Sequence, residues 1–212
     1  MKGQSHAIAG IATGVAVMSA FQVNPVIAIG TSLLGAMIVD IDSENSKINK
    51  WLFPVNIKYR TMLKLFIGAT LLALPMEFGK YIGGILILSI LSCKVSYKFS
   101  IWNGIQESKF HRTIFHDPII GGLILAAPLY MLKLPEAWTL PYTCGLASHY
   151  ILDMFTSYGL PLYLFKGRKI KFPITYRSGN DFMEYGILGL YILVVLGISI
   201  KSFGQTLLAV LN

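Results

Sequence analysis

Long apolar runs broken by basic loops leave this 212-residue chain few options other than helices packed within a membrane. Only 13% of its residues are charged, 54% are hydrophobic, and the mean hydropathy is +0.62. Soluble domains carry about 25% charged residues. The runs predict membrane helices over 5–21, 25–41, 62–78, 81–94, 117–133, 137–158 and 183–201. Several are shorter than the ~20 residues of a full span, which tilt, local thinning or partial embedding accommodates. The fourth, Tyr81–Lys94, is the weakest of the set, and 203–211 either extends the last helix or lies at the interface. The expectation is an all-α polytopic helical bundle with six to seven transmembrane helices, in one integral membrane domain over 1–212.

The formal net charge is +8. Such a balance can signal nucleic acid, but no long polar region remains for a nucleic-acid module. Orientation in the bilayer explains the charge better. With the N-terminus inside, 15 of the 18 basic residues fall in inner segments, and Lys80, Lys133 and Lys201 remain outside. That bias predicts a cytoplasmic N-terminus, seven spans and an outer C-terminus. A cleaved signal peptide ending near Met18-Ser19-Ala20 is disfavoured, because its n-region is barely basic and cleavage would discard His6. Cys93 and Cys144 fall toward opposite faces and are expected to be unpaired.

The same topology gathers the polar groups at one level. His6 begins the first helix, Asp40 and Asp42 end the second, and His111 and His116 precede the fifth. Asp153 and His149 lie near the inner end of the sixth, roughly 5–15 Å into the membrane at 1.5 Å per residue. Glu184 starts the seventh. Ionisable groups at such depth are costly and usually functional, and His with Asp is a zinc-type ligand set.

Each fragment has a plainer reading. His149 and Asp153, four apart, share a helix face; they can ligate one metal or two, or simply bond one another. Asp40 and Asp42 oppose the helix dipole; a bound cation, Lys47 or Lys50 would compensate them. His6 alone needs no role. His111 and His116 point different ways on one helix, so His111 and Arg112 are expected in a loop and the helix to begin near His116-Asp117. Arg112 could grip a phosphate bidentately or hold lipid head groups. Glu184, with Asp181, is a ligand, a general base or a helix-start acid. Ser148 adjoins His149 but diverges from it, and there is no GxSxG, Walker A or GxGxxG motif.

Four segments recur together in a known family. They are Gly3-Gln4-Ser5-His6 through Gly10, Val39-Asp40-Ile41-Asp42-Ser43, His111-Arg112 through His116, and Ser148-His149 through Asp153, Thr156 and Gly159. In this order they resemble the YdjM-like family of LexA-regulated bacterial inner-membrane proteins, described as metal-dependent hydrolases. A serine is usual where this chain has Asp117, a departure that could add a ligand or alter the ligands' surroundings. The part after Gly159 matches less clearly, so Glu184 is carried over less firmly. The family is in turn distantly similar to the zinc phospholipase C and P1-type nuclease group, which implies phosphoester hydrolysis without naming a substrate.

The expectation is a membrane-embedded hydrolase at the cytoplasmic face. His6, Asp40, Asp42, His111, His116, His149 and Asp153 are the ligand pool for zinc, or for manganese or iron. Arg112, Glu184 and Asp117 are the catalytic candidates. One tetrahedral zinc needs only three protein ligands plus water, so the pool suggests more than one ion or an acid–base shell. A lipid or lipid-linked phosphate suits the depth, membrane lipids are the expected partners, and no nucleic acid is expected. The alternatives are a divalent-cation or proton transporter, or a partner-binding protein whose metal is structural. Transport would need polar groups through the span, whereas the outer halves offer mainly Glu77, Lys80, Lys133 and Glu136.

Overall fold

The structure is a computed structural model that describes residues 1–43, 45–102, 112–165, 168–177 and 179–211, with side chains left out for 93–102 and 202–211. It is all-α, with eight α-helices among the described residues and one short β-ribbon. The chain divides into two units, Met1–Ile38 with Leu134–Tyr158 and Lys171–Asn212, and Val39–Lys133 with Gly159–Ile170.

The first unit holds α1 (Gly3–Phe21), α2 (Pro25–Ile38), α7 (Glu136–Met154) and α8 (Asp181–Leu211). α1 packs on α2, α7 and α8, and α2 packs on α7. Small residues permit the close approach. A Cβ at Gly145 of α7 would run into the Ser32 carbonyl of α2, and one at Gly35 of α2 into the Tyr142 carbonyl of α7. Hydrogen bonds between helices accompany these close contacts. Ser32 Oγ donates to the Gly10 carbonyl at 2.8 Å, and the Thr13 and Tyr191 hydroxyls share a hydrogen bond of 2.7 Å. Ala9, Leu152 and Leu188 form a buried apolar cluster beside them.

The second unit holds a 3₁₀ turn (Val39–Asp42), α3 (Lys47–Leu52), α4 (Ile57–Ala73), α5 (Glu77–Trp102), a second 3₁₀ turn (Ile114–His116) and α6 (Ile120–Met131). It also holds the antiparallel pair β1 (Leu160–Leu162) and β2 (Arg168–Ile170), in register Leu160↔Ile170. α4 and α5 form an antiparallel hairpin. The Tyr81 hydroxyl donates to the Leu125 carbonyl at 2.5 Å, tying α5 to α6.

Seven helices fall on the seven apolar runs, with shifted ends. α4 starts at Ile57, capped by the Asn56 side chain, which accepts from Lys58 N at 3.1 Å. Lys58 and Arg60 are therefore helical rather than in a loop, and Arg60 and Lys64 are buried. α5 extends well past 81–94 at both ends, and 203–211 continues α8. α6 begins at Ile120, after a turn of its own at Ile114–His116. Among the described residues, two stretches are long and apolar enough to cross a membrane, Pro25–Asp42 and Asp181–Lys201, with mean hydropathies of 1.6 and 2.0. At about 18 Å, the 12 residues of α6 fall short of a ~30 Å hydrocarbon core.

Candidate metal centre

In the first unit, the first turns of α1 and the last turns of α7 bring three donors together. His149 and Asp153 are one turn apart on α7, and His6 faces them from α1. His6 Nε2 lies 3.4 Å from Asp153 Oδ1, and His149 Nε2 lies 3.6 Å from Asp153 Oδ2. Donor atoms of all three lie within 4.8 Å of one another. The imidazoles stack with centroids 3.7 Å apart and planes 12° off parallel. All three side chains are buried.

Two features explain what this arrangement accepts. His149 Nδ1 lies 2.7 Å from the Ala36 carbonyl, which can only accept, so Nδ1 carries the proton. In the neutral ring Nε2 then holds the lone pair, facing a carboxylate oxygen. Two acceptors at that distance repel unless a cation or a proton lies between them. Anchoring the far nitrogen in this way is also how proteins orient metal-ligating histidines. Second, ligand bonds of about 2.0–2.2 Å at tetrahedral angles set donor atoms about 3.3–3.6 Å apart. Each imidazole Nε2 lies at that distance from one oxygen of the Asp153 carboxylate. His6 Nδ1, buried, has no hydrogen-bond partner among the described residues. The donor set and spacing therefore fit a divalent ion such as zinc.

Further polar contacts surround the start of α1. The amino group of Met1 lies 3.3 Å from Asp153 Oδ1. Glu184 Oε1 accepts from Lys2 N at 2.6 Å and from Ser5 Oγ at 2.5 Å. The Lys2 ammonium instead meets Asp181 at 2.5 Å, and that hydrogen bond holds it above the usual lysine range. Being exposed, this pair adds little stability.

In the second unit, the turn Val39–Asp42 faces the turn Ile114–His116. His116 Nε2 lies 3.4 Å from Asp40 Oδ1, again the edge length of a ligand tetrahedron, and His116 Nδ1 lies 3.9 Å from Asp42 Oδ2. The two aspartates differ. Asp42 is buried and accepts a short hydrogen bond from the Thr113 hydroxyl, whereas the Asp40 side chain is 24% exposed. The turn is held from behind: Lys64 Nζ and Asn49 Nδ2 each donate to the Ile41 carbonyl at 2.7 Å. Lys64, fully buried in α4, thus brings a positive charge behind the turn that carries this acid pair.

The catalytic candidates meet different fates. Asp117 is fully buried, and its carboxylate accepts from Ile119 N, Ile120 N and Tyr163 N at 2.8, 3.1 and 2.7 Å. It caps the start of α6 and joins it to the turn after β1, so the departure from serine has a structural account. One guanidinium nitrogen of Arg112 donates to the Gly159 carbonyl, while the Arg112 carbonyl accepts from the Tyr163 hydroxyl at 2.9 Å. Gly159, at φ 64°, has the left-handed backbone that glycine tolerates. The group expected at a substrate phosphate also links two loops. Glu184 is a helix-start acid that also reaches α1. His111 lies outside the described residues. Ser148 donates to its own helix, at Gly145 O, and is no partner of His149.

Sequence reasoning missed Ser5, Asn49, Lys64 and Thr113. A lysine inside an apolar run was a signal for Lys64. The others are ordinary polar residues that only the tertiary fold places beside the acids.

The sequence profile of the YdjM inner membrane protein family matches residues 1–211. No curated protein and no solved structure matches the chain, and nothing links it to the zinc phospholipase C and P1-type nuclease group. A profile match of this extent settles the relationship: the chain belongs to the YdjM inner membrane protein family.

Proposed function

We propose that this protein is a membrane-embedded, metal-dependent hydrolase that cleaves a phosphoester in a lipid or lipid-linked substrate at the cytoplasmic face. The observation that carries the reading is the buried trio His6, His149 and Asp153, with an imidazole lone pair directed at a carboxylate. Those three residues would hold one divalent ion, zinc before manganese or iron. Asp40 and His116 would supply donors for a second ion, with the Asp42 carboxylate, held by Thr113, beside them. An ion bound in such a site supplies Lewis-acid stabilisation of charge on the attacked phosphorus oxygens and a nucleophile at neutral pH. The rest of the task falls to the chain: burial excludes bulk water and strengthens every polar contact within.

The reading includes a topology of seven spans with the N-terminus inside, resting on the basic-residue bias. It places the inner ends of α1 and α7 near the headgroup boundary, where a lipid phosphate is within reach. The test is hydrolysis by purified protein in detergent, loaded with zinc or manganese, against phospholipids and lipid-linked phosphates. Loss of turnover in both His149→Ala and Asp153→Ala supports the reading. No hydrolysis by wild type, together with metal-ion flux in liposomes, overturns it in favour of transport.

A further inference from the structure

We propose that Glu184 is a positioning residue, which ties the start of α8 to the first turn of α1 and thereby sets the depth and rotation of His6. The inference rests on the metal-centre reading and adds to it a residue that touches no ion.

α1 begins without a cap of its own, because its N-cap Lys2 makes no side-chain cap hydrogen bond. Glu184 supplies one from α8. Its Oε1 accepts the Lys2 backbone N–H at 2.6 Å, as the acid of a capping box reaches back to the N-cap amide, but here from another helix. The same oxygen accepts from Ser5 Oγ at 2.5 Å. The two bonds do different jobs. The one to Lys2 N fixes α1 along its axis. The one to Ser5 fixes it around its axis, because Ser5 and His6 are neighbours about 100° apart on the helix. With Ser5 turned to α8, His6 is turned to Asp153 of α7, 3.4 Å away.

Burial argues against a merely convenient cap. Glu184 is 1% exposed, as is Ser5. Glu184 Oε2 is buried without a hydrogen-bond partner among the described residues, a cost that a cap built for stability alone would avoid. Nor is Glu184 spent on the Lys2 ammonium, which goes to Asp181. Groups that orient metal ligands commonly change metal affinity by about 10–100-fold when removed.

The experiment uses the full chain in detergent. Zinc affinity is measured by chelator competition, and the cobalt-loaded protein is read by its visible absorption, which reports ligand geometry. Glu184→Ala should weaken zinc by about 10-fold or more and change the cobalt spectrum. Glu184→Gln keeps an acceptor oxygen for Lys2 N and Ser5 and should stay close to wild type. Ser5→Ala should fall between them, and decides the matter if Glu184→Ala does not fold. Wild-type affinity and spectrum in Ser5→Ala and in folded Glu184→Ala overturn the proposal. Glu184→Gln falling as far as Glu184→Ala also overturns it, since the charge rather than the hydrogen bonds would then matter. Wild type that binds neither zinc nor cobalt brings down the metal centre itself and this inference with it.

Discussion

His149 owes its tautomer to a backbone carbonyl, and that one contact turns a buried histidine into a candidate ligand. With Nδ1 committed to Ala36 O, Nε2 can only meet Asp153 through a proton or a cation. Chelation should therefore lower the melting temperature of the wild-type protein, since an ion at 100 times its dissociation constant contributes about 2.7 kcal/mol. In His149→Ala, chelator should make little further difference; an equal drop by scanning fluorimetry would place the ion elsewhere. Thr113 offers a second residue-scale test. Thr113→Val keeps the shape but strips a buried carboxylate of its donor, for a cost of about 1–3 kcal/mol in chemical unfolding. An unchanged midpoint would mean that Asp42 finds another donor. The spacing of His149 and Asp153 was legible as shared helix geometry. The roles of Asp117 and Arg112 were not, because their partners, Tyr163 N and Gly159 O, lie more than 40 residues away and are backbone atoms that no side-chain pattern announces.

Helices were legible where apolar runs were long, and their ends were misjudged where charge interrupted them. Arg60 read as a loop residue because a basic residue usually is one; Arg60 and Lys64 are both buried because carbonyls of Phe53 and Ile41 accept their donors. α3 and the β1–β2 ribbon escaped notice because six and three residues are too few to show a period. Packing was still less accessible, since Gly35 and Gly145 acquire meaning only once α2 lies on α7. That contact makes a prediction at the scale of the element. Gly145→Ala should destabilise the protein by about 1–3 kcal/mol, because the new methyl meets backbone that cannot yield without moving α7. It should also lower metal content although it touches no ligand, because α7 carries both His149 and Asp153. Normal stability and normal metal content in Gly145→Ala would show that α2 and α7 are not so closely apposed.

Across the whole molecule, membrane topology and metal chemistry meet. Fifteen of 18 basic residues on one side predict that reporters fused after Lys50 and Ile170 read cytoplasm and one after Lys133 reads the opposite side. A reversed signal at Lys50 would put Asp40 and Asp42 on the outer side and end the case for a cytoplasmic site. The central claim, however, is that the buried histidines and Asp153 exist to hold an ion. It is tested most directly by elemental analysis of the full chain purified without chelator, beside His149→Ala and Asp153→Ala. Wild type should carry at least about one zinc, manganese or iron per chain, as a three-donor site requires, with a clear loss in both variants. Metal-free wild type after zinc loading, or equal metal in all three proteins, would contradict it.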